Sequence, residues 1–481
     1  MSFSRQEWDT CIRVLQVLSR DPDQSLDTET LKGLVTKLYR RAKKNNKQRQ
    51  IDEAAGEIIN TTRSLSLQKI QKVSKGQVLI RQYDKSIKSQ SLLFRNYQQP
   101  FTENEGPVPE MPALKYPQKC YSCKTPYKQV HFFYHLLCPD CADFNYRKRM
   151  QHCDLKGRVA LITGGRVKIG YLTALRMLRD GAKVWVTTRF PNDCILRFSK
   201  EADYDQWQAR LKVVALDLRN LGQVNKLVQY MEQEETHLDI IINNAAQTIK
   251  RPPEFYHHLL DGEQDTAKLP EHARSCLAEG FAFQWQEDPK EQKLLPFEAS
   301  LFFPENSFDK DRQQIDLRPE NSWSTLLQEV TPVEMLETQL VNVTAPFMLN
   351  SGLKSMLLRS PFRRKFIINV SAMEGQFSRS SKTPYHPHTN MAKAALNMMT
   401  RTSAQDYAQD EIFMNSVDTG WITQEQPHPK KQRLYEEEGF VPPLDEIDGM
   451  ARIYDPVVTG LTSEAVPLFG HFLKDYQPYP W

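Results

Sequence analysis

The chain has 481 residues, of which 63 are basic and 59 acidic, so its net charge at pH 7 is only +4. That balance gives no global electrostatic argument for binding nucleic acid or an anionic membrane surface. No apolar run approaches the roughly 20 residues that a membrane-spanning helix needs, and the sequence starts without an apolar signal segment. We therefore expect a cytoplasmic protein, with the nucleus as an alternative, and enough chain for one large core and smaller units.

Residues 1–80 are predicted to form a helical segment, because apolar residues recur there at helical spacing. Within it, residues 37–50 carry seven basic side chains and no acidic one. This stretch could bind nucleic acid, but the simpler interpretation is a solvated helix end with cations near its negative pole. Residues 81–118 contain five prolines and little periodicity, which predicts a linker.

Two cysteine pairs follow the linker, and 14 residues separate them. Their members are Cys120, Cys123, Cys138 and Cys141. Four thiolates at this spacing can close a tetrahedral zinc site with no open position, which makes the Zn²⁺ structural. Two disulfides are the alternative, but a chain without a secretory signal is expected in a reducing compartment. We predict a zinc ribbon over residues 119–150, with a strand over residues 130–137.

A strand, a glycine turn and a helix follow in direct succession from Val159. Backbone N–H groups at such a turn can bind the pyrophosphate of a dinucleotide at the positive end of the helix. Lys168 occupies the position where a third glycine is usual, so its side chain competes for space with the phosphate or ribose. The residues expected around the phosphates are Gly164, Gly165, Arg166, Lys168, Ile169 and Gly170.

The second apolar strand of this unit ends at Arg189. A cation at that place can bind a 2′-phosphate, whereas an acidic residue would accept hydrogen bonds from a ribose hydroxyl. The sequence therefore favours NADP(H), with NAD(H) as the alternative. Two further buried strands are predicted, one ending at Asp217 and Leu218 and the next at Asn244 and Ala245.

With these features the chain resembles the short-chain dehydrogenase/reductase family, over about residues 155–475. Four of the family's signatures occur in its order: the glycine turn, the adenine contact at Asp217, the Asn-Asn-Ala strand end, and a helix segment with Asn342. The resemblance implies an α/β fold, with a Rossmann-type doubly wound parallel sheet over residues 152–481. It also implies cofactor contacts from Gly420 and Thr423 after the sixth strand, and a homo-oligomer is possible because the family is often dimeric or tetrameric.

The family's chemistry uses an Asn-Ser-Tyr-Lys group, and only two of the four positions match. Asn342 and Lys393 occupy the asparagine and lysine positions, while the tyrosine position holds Thr389. The serine position holds Ala372, with Ser371 one residue too early. An alkyl hydroxyl cannot replace the phenol as an acid, because its proton is several pKa units less available than that of tyrosine, about 10.

Three interpretations of this departure stay open. Another donor takes over, such as Tyr385, or a group among Ser371, Glu374 and Asp418 at the same strand ends. Alternatively, the fold binds NADP(H) without turnover, as a sensor or as a scaffold for a protein or RNA partner. In the third interpretation the pocket is vestigial. We predict an NADP(H)-dependent oxidoreductase that acts on a carbonyl or hydroxyl of an unknown small molecule, with the catalytically silent binding protein as the alternative.

A long insertion over residues 250–331 separates the fourth strand from the helix segment of Asn342, where the family has a short connection. Loops of this length in compact domains are mostly functional lids or disordered segments. Aromatic stretches such as Phe281–Trp285 argue against disorder. We expect the insertion to cover the substrate pocket or to form an interface.

Overall fold

The protein is described by a computed structural model over residues 80–97, 111–285, 296–379 and 382–481, together with isolated positions among the first thirteen. The chain divides into two compact units, Met1–Gln82 and Tyr83–Trp481. The predicted helical segment before residue 80, including the basic stretch 37–50, lies outside the continuously described residues. Everything below concerns the second unit.

The four cysteines lie in a small ribbon built from a hairpin and one helix. Strand β1 (Ala113–Lys119) pairs antiparallel with β2 (Pro126–Gln129), and helix α2 (Pro139–Arg149) follows. Residues 81–118, expected as a linker, include helical residues 83–88, helix α1 (Leu92–Arg95) and strand β1. The ribbon therefore begins before residue 119.

The strand predicted over residues 130–137 is replaced by bends. The imidazole of His131 explains the difference, because its Nδ1 accepts hydrogen bonds from the backbone N–H groups of Phe133 (3.1 Å) and Tyr134 (3.4 Å). Local bonds of this kind occupy donors that a strand would need for its ladder.

An eight-stranded sheet forms the centre of the unit, with the strand order β10-β9-β8-β7-β6-β3-β4-β5. Strands β3 to β9 are parallel and β10 is antiparallel to β9. The strands are β3 (Val159–Thr163), β4 (Lys183–Thr188), β5 (Leu211–Ala215), β6 (Ile240–Asn243), β7 (Lys365–Ser371), β8 (Ile412–Asp418), β9 (Phe472–Lys474) and β10 (Gln477–Tyr479). The predicted doubly wound parallel sheet is confirmed.

Helices cover both faces of the sheet, as the continuous burial of strands such as β3 requires. Leu178 and Tyr454 belong to the core on one face, and Leu227 and Leu349 to the core on the other. No described helix has the length and hydropathy of a membrane span. The helices after the ribbon are α3 (Lys168–Arg179), α4 (Pro191–Phe198), α5 (Tyr204–Trp207), α6 (Leu221–Glu234), α7 (His257–Glu263), α8 (Glu271–Arg274), α9 (Pro296–Phe302), α10 (Pro332–Gln339), α11 (Ala345–Gly352), α12 (Lys354–Leu358), α13 (Pro387–Gln409), α14 (His428–Arg433) and α15 (Glu446–Thr462).

The insertion is folded over its described residues and carries helices α7, α8 and α9. Its aromatic side chains form a separate small core with Phe190, which follows strand β4, and Phe255, Tyr256 and Phe303 are members. The insertion is therefore attached beside the carboxyl end of β4, where the sequence predicted the binding site of the 2′-phosphate.

Buried charges join the ribbon to helix α15, and we call this contact the ribbon interface. Arg149 Nη1 lies 2.5 Å from Asp445 Oδ1 and 3.1 Å from Asp448 Oδ1. The hydroxyl of Tyr134 donates to Asp448 at 2.5 Å. From α15, Arg452 donates to the side-chain oxygen of Asn145 at 2.8 Å. The ribbon is thus held against the sheet domain by paired, desolvated groups.

Candidate functional site

A cleft of about 1420 Å³ opens at the carboxyl ends of the parallel strands. The strand order reverses between β3 and β6, and ligands of open α/β sheets bind at such a reversal. The loops after β3 to β8 line the cleft, and both the insertion and the ribbon add residues to it.

Two glycines of the turn after β3 have neighbours so close that no side chain would fit at either position. A Cβ atom on Gly170 would lie 2.3 Å from the carbonyl oxygen of Gly164, and one on Gly165 would lie 2.6 Å from Val186. Gly164 itself has φ +70°, and its carbonyl accepts a hydrogen bond from Asn244 Nδ2 at 3.1 Å. The residues from Arg166 to Gly170 line the cleft, so the start of α3 faces it, as phosphate binding at a helix N-terminus requires.

Lys168 keeps the backbone conformation of the glycine it replaces, with φ +55°. Its side chain runs toward the insertion, where Nζ lies 4.0 Å from Asp311 Oδ2. Burial lowers the pKa of Lys168, but Glu425 and Asp311 outweigh it and raise the pKa above its ordinary value. The substitution therefore adds a cation to the turn. Ile169, the next residue, lines the cleft and also touches the apolar core of the ribbon.

Replacing Gly170 by alanine is expected to lower the free energy of unfolding by about 3 kcal/mol, because overpacking against a backbone carbonyl cannot be relieved by a side-chain rotation. Urea unfolding measures the change. Gly262 in α7 is the matched control, since nothing lies within 4 Å of a Cβ built there; Gly262→Ala should stabilise the protein by up to about 1 kcal/mol. Equal effects of the two substitutions would contradict the close approach at Gly170.

Arg189 is the cation of the cleft that is available for an anion. Its Nη2 donates to the hydroxyl of Tyr256 at 2.7 Å, and the guanidinium lies 4.6 Å from the centre of that ring. Among the described residues Arg189 forms no hydrogen bond or ion pair with a carboxylate, although its charge helps to lower the pKa of the nearby Asp217. Arg166 differs, because it also lines the cleft but its Nη1 lies 2.6 Å from Asp193 Oδ2. Of the two, Arg189 is better suited to a phosphate.

The carboxylate of Asp217 is already paired. Burial raises its pKa, but Arg219, 2.7 Å away, outweighs burial and brings the pKa below its ordinary value. Arg219 also lies 2.9 Å from Glu337. The neighbouring Leu218 is buried, and both Asp217 and Leu218 line the cleft, as expected for an adenine contact.

The end of β6 is fixed from two sides. The backbone N–H of Ala245 donates to Thr163 Oγ1 at 3.0 Å. Asn342 accepts a hydrogen bond from the N–H of Gln247 at 2.7 Å and donates to the carbonyl of the same residue at 3.2 Å. Asn342 lies in the π-helical turn Leu340–Thr344, a local irregularity that is frequent at functional sites. It therefore shapes the cleft through the backbone after β6.

Lys393 is buried at the floor of the cleft. Its Nζ donates to the carbonyl of Val370 at 2.8 Å, and burial lowers the pKa of Lys393 to about 8. The hydroxyls of Ser371 and Thr389 line the same cleft, and both are buried without a hydrogen-bond partner among the described residues. Buried polar atoms normally have partners, so this group fits a polar ligand that would complete it.

Two acids that could give a proton line the cleft. Tyr385 is 41% exposed. Asp418 is buried at the end of β8, beside Ser371 in the sheet register, and accepts a hydrogen bond from the N–H of Met373 at 3.3 Å. Burial, with a smaller contribution from Glu374, raises the pKa of Asp418 to about 6.

The loop after β8 holds the other two predicted cofactor contacts. Gly420 has φ +82°, and a Cβ atom there would lie 2.5 Å from Leu444. The hydroxyl of Thr423 donates to Glu425, so it is already engaged. Both Gly420 and Thr423 line the cleft.

Sequence reasoning missed several aromatic residues of the cleft, among them two of the insertion and one of the ribbon. Tyr256 and Trp323 belong to the insertion, and Tyr121 belongs to the ribbon. The indole of Trp323 stacks on His386, with 3.9 Å between the ring centres. The aromatic bias of the insertion was the available signal for the first two, whereas nothing in the sequence pointed to Tyr121.

The four ribbon cysteines converge on one point. Their sulfur atoms all lie within 4.8 Å of one another, and Cys123 Sγ and Cys138 Sγ are 3.6 Å apart. None of them is joined in a disulfide. Cys120, Cys123, Cys138 and Cys141 thus fit the tetrahedral thiolate set of a structural zinc site.

Comparisons with known proteins agree with this fold. The family model for short chain dehydrogenase matches residues 158–261 and 321–433, and the interruption falls inside the insertion. An uncharacterised mimivirus protein, R665 of Acanthamoeba polyphaga mimivirus, is 30% identical over 353 residues, which cover 70% of this chain and 71% of that protein. A rhamnolipid-biosynthesis 3-oxoacyl-(acyl-carrier-protein) reductase of Pseudomonas aeruginosa is 33% identical over 92 residues, which cover 19% of this chain and 34% of that protein.

The NADP active-site complex of Pseudomonas aeruginosa RhlG is 17% identical, with a TM-score of 0.42, over 66% of this chain and 95% of that chain. With the sheet order, the glycine turn and the match to the family model, the sheet domain of this chain belongs to the short-chain dehydrogenase/reductase family.

Proposed function

We propose that the protein binds NADP(H) and acts as an oxidoreductase on a carbonyl or hydroxyl group of a small molecule. The observation that carries this proposal is the buried Lys393, which shares the cleft with the unpartnered hydroxyls of Ser371 and Thr389. A bound nicotinamide would exchange a hydride with the substrate carbon, and the protein must supply binding, orientation and the proton.

Each part of the cofactor has residues that suit it. The N-terminus of α3 suits the pyrophosphate. Arg189 suits a 2′-phosphate, because it can make charge-assisted hydrogen bonds and forms no hydrogen bond or ion pair with a carboxylate among the described residues. Lys393 lies at the other side of the cleft and suits the hydroxyls of the nicotinamide ribose. This arrangement favours NADP(H) over NAD(H).

Of the two acids, we propose Asp418, in preference to Tyr385, as the group that donates a proton to the substrate. A carboxyl whose pKa is raised to about 6 is protonated in part near neutral pH, and a general acid works best when its pKa lies near the working pH. In reduction, Asp418 would give its proton to the substrate oxygen and regain one from solvent. Thr389 would form a hydrogen bond with the substrate, as donor or as acceptor, and would keep its own proton.

Titration with NADPH and NADH tests the proposal, with quenching of tryptophan emission as the signal, since Trp323 and Trp421 line the cleft. The wild-type protein should bind NADPH more tightly. Arg189→Gln should weaken NADPH binding by about 10-fold to 100-fold, the range for charge-assisted hydrogen bonds, and leave NADH binding unchanged. Arg359→Gln, at an exposed arginine outside the cleft, is the control.

Each outcome of this titration decides a different point. Absence of binding for both dinucleotides would overturn the proposed function. A variant that keeps the full preference for NADPH would show that Arg189 does not bind the 2′-phosphate, whereas a loss of affinity in the Arg359 control would point to a general effect of removing charge.

The replacement of the family's tyrosine and serine positions by Thr389 and Ala372 favours one second candidate. In that case the protein binds NADP(H) without turnover and serves as a sensor or scaffold for a macromolecular partner. Cofactor binding would then persist, and no substrate would be converted at any pH. A structural Zn²⁺ in the ribbon is part of both candidates.

A further inference from the structure

We propose that the first cysteine loop of the ribbon, Cys120–Lys124, is a wall of the cofactor cleft, in which Tyr121 contacts the nicotinamide end of the bound cofactor. The inference rests on the proposed function, because it assigns a residue to the NADP(H) site. It gives the metal ribbon a direct part in ligand binding.

The loop reaches the cleft with three of its residues, Tyr121, Ser122 and Lys124. The oxygen of Tyr121 accepts a hydrogen bond from the backbone N–H of Trp421 at 3.0 Å. Its own hydroxyl proton has no acceptor among the residues that the structure describes. The phenol is therefore a donor that is held in place and free to bond a ligand in the cleft.

The fold fixes the position of this phenol. The N–H of Tyr121 donates to the carbonyl of Leu136 at 2.8 Å, and the N–H of Cys120 donates to that of Thr125 at 3.0 Å. The ammonium of Lys124 contacts the carbonyl of Tyr121 and lies 5.2 Å from the centre of its ring. Because cysteines of the metal site flank Tyr121 on both sides, the loop cannot move away without disturbing all four ligands.

The ribbon as a whole is also fixed to the cleft. Ile422, which follows Trp421, is buried in the apolar core of the ribbon together with Leu444. The ribbon interface adds the ion pair of Arg149 with Asp448. Tyr121 thus moves with the sheet domain, and a residue held this rigidly loses little entropy when a ligand binds.

The sheet order decides which end of the cofactor Tyr121 would meet. Arg189 follows β4, and the loop of Trp421 follows β8, four positions away in the sheet. At about 4.8 Å per strand this is roughly 19 Å, a distance suited to an extended dinucleotide that lies across the strand ends. If the 2′-phosphate binds Arg189, the nicotinamide end lies beside Lys393, Trp421 and Tyr121.

The test compares two ligands on the zinc-loaded full chain. NADPH carries both ends of the cofactor, whereas adenosine 2′,5′-bisphosphate carries the adenosine and its 2′-phosphate but no nicotinamide. Tyr121→Phe removes one hydroxyl and keeps the ring. We expect it to weaken NADPH binding by about fivefold to tenfold, the cost of one hydrogen bond, and to leave the affinity for the bisphosphate unchanged.

Tyr116→Phe is the matched control, because Tyr116 is an exposed tyrosine of the same ribbon on β1, outside the cleft. Zinc content is measured for all three proteins and should agree, while the melting temperature of Tyr121→Phe should fall by no more than the loss of its hydrogen bond from Trp421 explains. A ribbon that is merely loosened would lower zinc content or affect both ligands alike, so the difference between the two ligands separates contact from disruption.

Two results would overturn the inference alone: equal NADPH affinity in Tyr121→Phe and wild type, or equal weakening of both ligands. If the wild-type protein binds neither ligand, the proposed function fails and the inference fails with it. If wild type binds the bisphosphate and NADPH with the same affinity, the nicotinamide end makes no net contact, which overturns the role of Tyr121 but not that of Arg189.

Discussion

Lys393→Met should make the protein more stable at pH 7 by about 2 to 3 kcal/mol while removing any turnover. Burial lowers the pKa of Lys393 from 10.5 to about 8, and each pKa unit corresponds to about 1.4 kcal/mol. Lys393→Met removes the desolvation cost of the buried charge, but it also loses the hydrogen bond to Val370, which contributes about 1 kcal/mol. A side chain retained at such a cost in stability indicates a functional role.

The pH dependence gives this prediction a second readout. The folded protein releases the Lys393 proton near pH 8, but the unfolded chain holds it to about pH 10.5. Between these values the unfolded state binds more protons, so the contribution of Lys393 to the free energy of unfolding rises with pH. Urea unfolding at pH 7 and pH 10 should show a smaller gain for Lys393→Met at the higher pH.

Arg401→Met provides the control for Lys393, since Arg401 is an exposed cation on the same helix. It should change the free energy of unfolding by no more than about 0.5 kcal/mol. A Lys393→Met variant that is less stable than wild type at pH 7 would contradict the assignment of Lys393 as a strained, desolvated cation. Retained turnover would contradict its catalytic role.

Arg149→Met is expected to lower the free energy of unfolding by about 3 to 5 kcal/mol. The substitution leaves the carboxylates of Asp445 and Asp448 buried without their main counter-ion, and broken buried ion pairs cost this much. Arg147→Met, at an exposed position on the same helix, is the control. Guanidinium unfolding measures both, and a loss below about 1 kcal/mol for Arg149→Met would contradict the buried ribbon interface.

Lowering the pH should restore part of the stability that Arg149→Met loses. Burial raises the pKa of Asp448 above its ordinary value even in the wild-type protein, and removal of the arginine raises it further. Protonation then neutralises the uncompensated charge, so the difference in unfolding free energy between variant and wild type should shrink as the pH falls from 7 to 5. A difference independent of pH would mean that lost packing, not charge, dominates.

The sheet and the glycine turn could be predicted from local sequence. Strand β3 is a continuous apolar run, and parallel strands covered on both faces have that pattern. The turn residues Gly164 and Gly170 follow at fixed offsets, and Lys393 lies in a helix whose register is set by its own neighbours. These features depend on residues within about ten positions of one another, which is why they could be predicted.

Contacts between distant segments could not be predicted. Tyr121 and Trp421 are 300 positions apart and meet where the ribbon contacts the loop after β8, and no local pattern encodes that meeting. Lys168 is a similar case: the sequence suggested that its side chain would crowd the phosphate. The structure instead directs it toward Asp311, a residue of the insertion.

The insertion leaves the sheet domain and returns to it at one point. The backbone N–H of Lys250 donates to Ser322 Oγ at 2.8 Å, so the ends of the segment between them already touch. Loops closed in this way can change length at little entropic cost, about 0.6 kcal/mol for each doubling. In evolution the segment could therefore be exchanged as a unit, and because it carries Tyr256, the partner of Arg189, such an exchange would change the surroundings of Arg189 without altering one residue of the sheet.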